Sequence, residues 1–288
     1  MELKIAVLAD IHANYVALQK CVDYARERDV TRFIFLGDYV GDLAYPQKTM
    51  ELIYKMKEQY ECYFVKGNKE DYWLDYRTYG EQGWKAYDST TGCLLYTYQQ
   101  LTERDMDFFE GMSHAQEVKF TDMPSITICH GSPKNVSEKL LPDNKKCFPA
   151  IETDKNQLIL CGHSHIQGRF EHDGKTILNP GSVGVPFCSN NKTQFLLLEE
   201  KAGKWVEEFI SIDYNVERVI DDLYKAGLDK KAPGWCRVSE YILKHGDVSH
   251  GSVLARAMAL CEKEEGNCIW PDIPEKYWEQ AVSELIKC

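Results

Sequence analysis

The chain has no Cys-x-x-Cys pair, no Gly-x-x-x-x-Gly-Lys-Ser/Thr loop and no strand-linked Gly-x-Gly-x-x-Gly. The first absence argues against a thiolate zinc site or a redox dithiol. The other two argue against P-loop nucleotide hydrolysis and dinucleotide binding. Basic residues are the minority, 34 Lys and Arg against 45 Asp and Glu, for a net charge of −11. Such a chain repels polyanions, so neither a nucleic-acid polymer nor an anionic membrane is an expected partner. A small anionic substrate held by a metal remains compatible with that charge. No run approaches the roughly 18 apolar residues of a membrane span. The opening Met1-Glu2-Leu3-Lys4 is too polar, and the apolar stretch after it too short, for a signal peptide. Internal repeats and low-complexity tracts are also absent. A soluble, cytoplasmic protein is expected.

Cysteine, by contrast, is plentiful. Eleven are scattered from Cys21 to Cys288, odd in number and several inside apolar runs. This reads as buried free thiols in a reducing compartment rather than a disulfide framework. With 288 residues the length fits one large domain or a domain with an appendage. A chain of this size buries enough surface to fold without covalent staples.

Apolar runs at 3–9, 33–36 and 62–65 alternate with helical patterns at 14–29 and 46–59. That alternation predicts βαβ units and a largely parallel sheet. Residues 70–112 are rich in Tyr, Trp, Asp and Glu and predict an inserted helical cap. Strands are expected again at 125–129, 158–161, 175–178, 194–198 and 205–211. Beyond that the pattern is helical, at 215–228, 235–245 and, broken between Gly266 and Pro274, 252–287. The expected organisation is a core over 1–212 and a helical extension over 213–288.

Five apolar runs end in polar residues of one kind. They lead to Asp10 and His12, to Gly37-Asp38, to Gly67-Asn68, to His130-Gly131 and to Gly162-His163-Ser164-His165. Ligands of open α/β sheets bind outside the carboxyl ends of the strands. Parallel strands therefore gather two Asp, one Asn and four His at one rim. Any one of these could be a turn residue or a cap; together they read as a metal site with too many donors for one ion. Two divalent ions roughly 4 Å apart satisfy the count. His114, His172, His245 and His250 lack such a context and are expected at the surface. Cys129 and Cys161 precede ligands by one residue, so strand alternation turns them toward the core.

These motifs, in this order and spacing, resemble the calcineurin-like metallophosphoesterase family. Asn179-Pro180-Gly181-Ser182, and Asp10-Ile11-His12-Ala13-Asn14 followed by Ala17-Leu18, resemble its small bacterial phosphodiesterase branch. The likeness covers roughly residues 1–212. It implies a four-layer αββα sandwich with a helical insertion and a helical C-terminal extension, a second sheet that periodicity alone does not show. It further implies that Asp10, His12 and His165 hold one metal, that Asn68, His130 and His163 hold the other, and that Asp38 bridges. Mn²⁺ is expected ahead of Fe or Zn²⁺. Two such ions lower the pKa of a shared water and neutralise phosphoryl oxygens, so no protein nucleophile is needed. Asp38, Asn68, Lys69 and His130 are the expected catalytic residues.

Lys69 departs from the family pattern, in which His follows Gly-Asn. A lysine can hold a phosphate oxygen but is a poor general acid at its usual pKa. The cap, and Ile212-Asp213-Tyr214-Asn215 with the helices after it, resemble symmetrical dinucleoside tetraphosphate hydrolases, whose leaving groups need little proton assistance. Tyr72, Trp73, Tyr76, Tyr79, Trp84 and Tyr87 can form an aromatic core for the cap or stack a nucleobase. Arg77 and Lys85 can meet a second phosphate or simply be solvated. The expected activity is hydrolysis of a phosphodiester, phosphomonoester or nucleotide phosphoanhydride, with a small phosphorylated molecule, such as a nucleotide, as substrate. A catalytically silent protein-binding scaffold is the competing class; such a chain should have lost ligands, and here all are present.

Overall fold

A computed structural model describes residues 3–286. Cys288 lies outside the described residues. The chain opens with β1 (Lys4–Leu8), α1 (Tyr15–Glu27), β2 (Arg32–Phe35), α2 (Pro46–Gln59) and β3 (Glu61–Phe64). A helical cap follows, α3 (Asn68–Thr78), α4 (Gly92–Tyr98) and α5 (Glu103–Glu110). Next come β4 (Ala115–Val118), β5 (Ile126–Cys129), α6 (Phe148–Glu152), β6 (Leu158–Leu160), β7 (Gly168–His172) and β8 (Lys175–Asn179). The long hairpin β9 (Thr193–Lys201) and β10 (Lys204–Ile212) leads into α7 (Val216–Lys225), α8 (Leu228–Lys231), α9 (Pro233–His245), α10 (His250–Glu265) and α11 (Glu275–Leu285).

The strands form two five-stranded sheets, ordered β10-β9-β1-β2-β3 and β4-β5-β6-β8-β7. Within them β1, β2 and β3 run parallel, as do β5, β6 and β8, while β9, β4 and β7 pair antiparallel. Strand alternation assigns each side chain to a layer. Ile5 and Val7 of β1 join Ile126 and Ile128 of β5 and Leu158 and Leu160 of β6 in the core between the sheets. Ala6 and Leu8 face the other way, into the core shared with α1, the cap and the C-terminal helices. On the far side Ile159 packs with Cys147 and Ile151 under α6. The result is the αββα sandwich, with a thin outer layer over the second sheet.

The strand ends therefore meet across two sheets, not along the rim of one. Two edge strands escape the sequence pattern. Ala115-Gln-Glu-Val118 and Gly168-Arg-Phe-Glu-His172 are half-exposed and carry charge, so they show no apolar run. The helix expected over 215–228 is two, separated at Gly227, whose φ is +72°. Among the described residues no helix is long and apolar enough to cross a membrane.

Candidate metal centre

The loops that leave the strand ends are laced to one another. Asp10 N–H donates to the Gly37 carbonyl at 3.1 Å, His12 N–H to that of Asp38 at 2.9 Å, and Gly162 N–H to that of His130 at 2.7 Å. Asp10, His12, Asp38, His163 and His165 all lie in the left-handed region, with φ of +54°, +49°, +54°, +64° and +59°. Such conformations cost about 1–3 kcal/mol each and persist only where surrounding structure fixes them. Two glycines make the crossing possible. A Cβ on Gly37 would lie 2.4 Å from the Gly67 nitrogen, and one on Gly67 would lie 2.1 Å from Asp38 Oδ1.

A buried carboxylate clamps the loops from behind. Glu70 Oε2 accepts from the backbone N–H of Asp38 at 2.9 Å and of Gly67 at 2.7 Å, and Oε1 accepts from Tyr39 N–H at 2.9 Å. Asp38 Oδ1 in turn accepts from Lys69 N–H at 2.9 Å. The Asp38 carboxylate is thus set by backbone contacts on both sides.

Three imidazoles are oriented in one way. His130 Nδ1 donates to the Leu36 carbonyl at 2.7 Å, and His165 Nδ1 to the Val185 carbonyl at 3.0 Å. His12 Nδ1 lies 2.8 Å from Asp42 Oδ2. This last contact is close but poorly aligned, since the nitrogen finds no well-directed acceptor; it sets the ring edge against the carboxylate without a linear hydrogen bond. With Nδ1 carrying the proton, each Nε2 presents a lone pair inward. Anchoring of the distal ring nitrogen in this way is the usual second shell of a metal-bound histidine.

The inward atoms crowd together. His12 Nε2 stands 3.1 Å from His165 Nε2, and His130 Nε2 stands 3.1 Å from Asn68 Oδ1. His165 Nε2 is 3.3 Å from Asp10 Oδ1, while Asp38 is 3.6 Å from His12 Nε2 and 3.5 Å from His130 Nε2. Facing lone pairs repel unless a proton or a cation sits between them. The donor atoms of Asp10, His12 and His165 lie within 4.8 Å of one another, as do those of Asp10, Asp38 and His130. Carboxylate, imidazole and amide oxygen without thiolate form a donor set that suits Mn, Fe or Zn ions. The residues fit a divalent metal. His163 lies beside them, its ring centroid 5.1 Å from that of His130, and its backbone N–H donates to Asp10 Oδ2 at 3.0 Å.

The electrostatics agree. Burial alone would raise the Asp10 carboxyl, but His165, His130 and His12 outweigh it and hold it well below the usual carboxylate range. Burial would lower His130 and His165; the carboxylates of Asp38 and Asp10 push both up instead. His163 goes the other way, down to about 4, by burial and then by the charge of His130. Cys161 is an inert core thiol, pushed up to about 12 by burial. Cys129 likewise packs in the outer core of the second sheet, away from the centre.

Lys69 is placed unexpectedly. Its ammonium is buried and ion-paired with Asp42 at 2.8 Å. Asp42 also accepts from Trp235 Nε1 at 3.1 Å on the same oxygen, Oδ1. Burial would raise the Asp42 carboxyl, yet Lys69, His12 and His250 hold it well below its ordinary value. Asp42, Glu70, Trp235 and His250 are functional neighbours that the sequence reading passed over. His250, expected at the surface, is 8% exposed and lines the cavity beside His12, Lys69 and His165. Only Asp42 carried a signal, as a second Gly-Asp pair, Gly41-Asp42, four residues after Asp38.

The cap aromatics divide. Trp73 is fully buried, Tyr76 stacks on Trp84 at 3.8 Å, Tyr79 and Tyr87 are exposed, and Tyr72 lines the cavity. Arg77 pairs with Glu103 and Glu110, and Lys85 with Asp272, so neither meets the centre.

Residues 3–203 match the calcineurin-like phosphoesterase superfamily domain. The chain belongs to that superfamily. A curated relative, an uncharacterized protein of Methanocaldococcus jannaschii, is 26% identical over 249 residues, covering 80% of this chain and 94% of that one. Among solved structures, a metallophosphoesterase from Sphaerobacter thermophilus superposes with a TM-score of 0.63 at 20% identity, over 79% of this chain and 95% of that one. A hypothetical protein from Pyrococcus horikoshii gives 0.69 at 20% identity, over 86% and 100%. At that identity the two structures support the fold. Within this fold the Asp and His groups described above have the geometry to hold a divalent metal.

Proposed function

We propose that the protein is a binuclear-metal phosphoesterase acting on small phosphate esters. One observation carries the reading: three histidines whose Nδ1 atoms are anchored turn their Nε2 atoms onto the carboxylates of Asp10 and Asp38. Asp10, His12 and His165 would hold one ion. Asn68, His130 and His163 would hold the other, with Asp38 between. When bound, such ions supply a water of lowered pKa and Lewis acidity toward phosphoryl oxygens. The chain's own part is placement. Glu70 fixes Asp38 through three backbone N–H groups, Asp42 fixes His12, and carbonyls of Leu36 and Val185 fix His130 and His165. Prepaid orientation of this kind is the main protein contribution to phosphoryl transfer.

Asp10, His12, Asp38, His130 and His165 bring donor atoms within 4.8 Å of one another in two groups that share Asp10, with Asn68 on His130, which supports an enzyme over a silent scaffold. Lys69 is already paired with Asp42, so it does not offer a polyphosphate chain a free cation. For that reason we propose simple esters and diesters as substrates ahead of dinucleoside tetraphosphates. Mn²⁺ is the proposed metal, and the ten described cysteines, all free, fit a reducing cytoplasm. The test is metal analysis followed by hydrolysis of bis(p-nitrophenyl) phosphate and p-nitrophenyl phosphate. Two equivalents of metal and metal-dependent release of p-nitrophenol are expected. Failure to bind metal, or metal without hydrolysis, would overturn the proposal.

A further inference from the structure

The cavity above the metal ligands, about 250 Å³, has a second wall that the ligands do not explain. It comes from the C-terminal helices, the joint between α9 and α10, and the segment between α10 and α11. Val248 and Leu254 line it, with Trp270, and Tyr72 of the cap lines the same cavity. Tyr72 and Trp270 are 40% and 41% exposed, so both leave ring surface open beside the cavity they line.

His250 gives this wall one defined polar atom. Ser239 Oγ donates its single proton to the Asp42 carbonyl at 3.1 Å. We assign it as the acceptor from His250 Nε2, 2.8 Å away, the arrangement that satisfies both contacts with the one hydroxyl proton. The imidazole therefore carries its proton on Nε2 and presents a lone pair at Nδ1. The ring stacks on Trp235 at 4.5 Å and 15°, which fixes its plane. No hydrogen bond among the described residues reaches Nδ1, and it is not among the sealed, unpaired atoms of the interior. Burial pushes this imidazole down to about 3, so it stays a neutral acceptor.

We infer that this wall binds the organic group of the substrate, and that it selects a flat aromatic group carrying an N–H or O–H donor for His250 Nδ1. The inference rests on the phosphoesterase reading for where the phosphate lies. Aromatic faces at Tyr72 and Trp270 supply stacking, the apolar wall excludes water, and Nδ1 reads the donor. A site built to accept such a donor discriminates against analogues that lack it.

The test is calorimetric binding of phosphonates to the metal-loaded full-length protein. Phenylphosphonate should bind roughly tenfold tighter than methylphosphonate, in keeping with stacking worth about that much. Trp270→Ala and Tyr72→Ala should each narrow that gap without moving methylphosphonate, and Trp270→Phe should restore it. At least one of the three aminophenylphosphonate isomers should gain roughly a further fivefold, the worth of one neutral hydrogen bond. His250→Phe should remove this gain while metal content and phenylphosphonate affinity persist. Equal binding of methyl- and phenylphosphonate, a gap that survives both alanine variants, or an amino gain that survives His250→Phe would each overturn the inference. Hydrolysis of bis(p-nitrophenyl) phosphate by the same preparation reads the phosphoesterase assignment separately.

Discussion

The ammonium of Lys69 lies 2.8 Å from Asp42 Oδ1, and the other oxygen of the same carboxylate lies 2.8 Å from His12 Nδ1. The residue that breaks the family's Gly-Asn-His pattern is therefore tied, through one carboxylate, to a candidate metal ligand. Its charge neutralises Asp42, the carboxylate behind His12, rather than standing free for substrate.

The first prediction follows from that pair. Lys69→Met leaves a buried carboxylate without its main cation, which should cost about 3 kcal/mol. Asp42→Asn alone should weaken metal retention roughly tenfold, the scale of a lost second-shell partner. Lys69→Met with Asp42→Asn should recover at least half of the stability lost by Lys69→Met. Urea unfolding and chelator competition on the three proteins give the cycle. Purely additive losses would show that the two side chains act independently.

The second prediction concerns Glu70, whose two oxygens accept from three backbone N–H groups. Glutamine offers one oxygen and one amino group, so at least one buried N–H would face another donor. The expected cost is roughly 1–3 kcal/mol. Because two of those donors flank Asp38, metal affinity should fall with stability in Glu70→Gln. Unchanged urea midpoint and unchanged metal titration would remove Glu70 from the site's support.

The sequence made the strand ends legible because each chemistry-bearing residue lies within a few positions of the end of an apolar run, as Asp10 does after β1 and His130 after β5. The second sheet was not legible. Period-2 alternation tells which face of Ile126 or Leu158 is buried, but not which strands are its neighbours. Edge strands β4 and β7 are hidden because half of their side chains meet water. Trp235 and His250 were missed for a different reason, and the Gly41-Asp42 pair does not by itself name the partners of Asp42. Their roles arise from contacts between segments nearly two hundred residues apart, such as Trp235 with Asp42. No local pattern encodes such a contact, and His250 sits in a polar joint that reads as surface.

The third prediction is a pH dependence carried by His250. Its folded pKa is about 3, against an ordinary value of 6.5. The group is depressed, so at pH above 6.5 both states are neutral and nothing is gained or lost. As pH falls below 6.5 the unfolded chain takes up a proton that the folded protein refuses, and stability drops. Between pH 7 and pH 5 this amounts to about 2 kcal/mol. His250→Gln removes the titration, so the stability difference between wild type and variant should shift by that amount across the window. Parallel pH profiles in urea unfolding would count against a buried, neutral imidazole.

The fourth prediction separates two duties of the C-terminal helices. Trp235 of α9 donates to Asp42 Oδ1, while its ring meets Trp278 of α11 at 5.9 Å. Trp278 is itself anchored by its Nε1 on Thr90 Oγ1 at 2.8 Å, which joins α11 to the cap. The helices thus pack the cap against the core and also hold the carboxylate behind His12. Trp235→Phe keeps an aromatic ring at this half-buried position and removes the donor. It should leave thermal stability within about 1 kcal/mol, the net worth of one hydrogen bond, yet speed metal loss to a chelator severalfold. Deleting 252–288 strips Trp278 from Trp235 and opens the apolar core beneath it. That truncation should lower stability and solubility and, through the loosened Trp235, also speed metal loss. If Trp235→Phe releases metal at the wild-type rate, the helices serve packing alone and the link from α9 through Asp42 to His12 carries no weight.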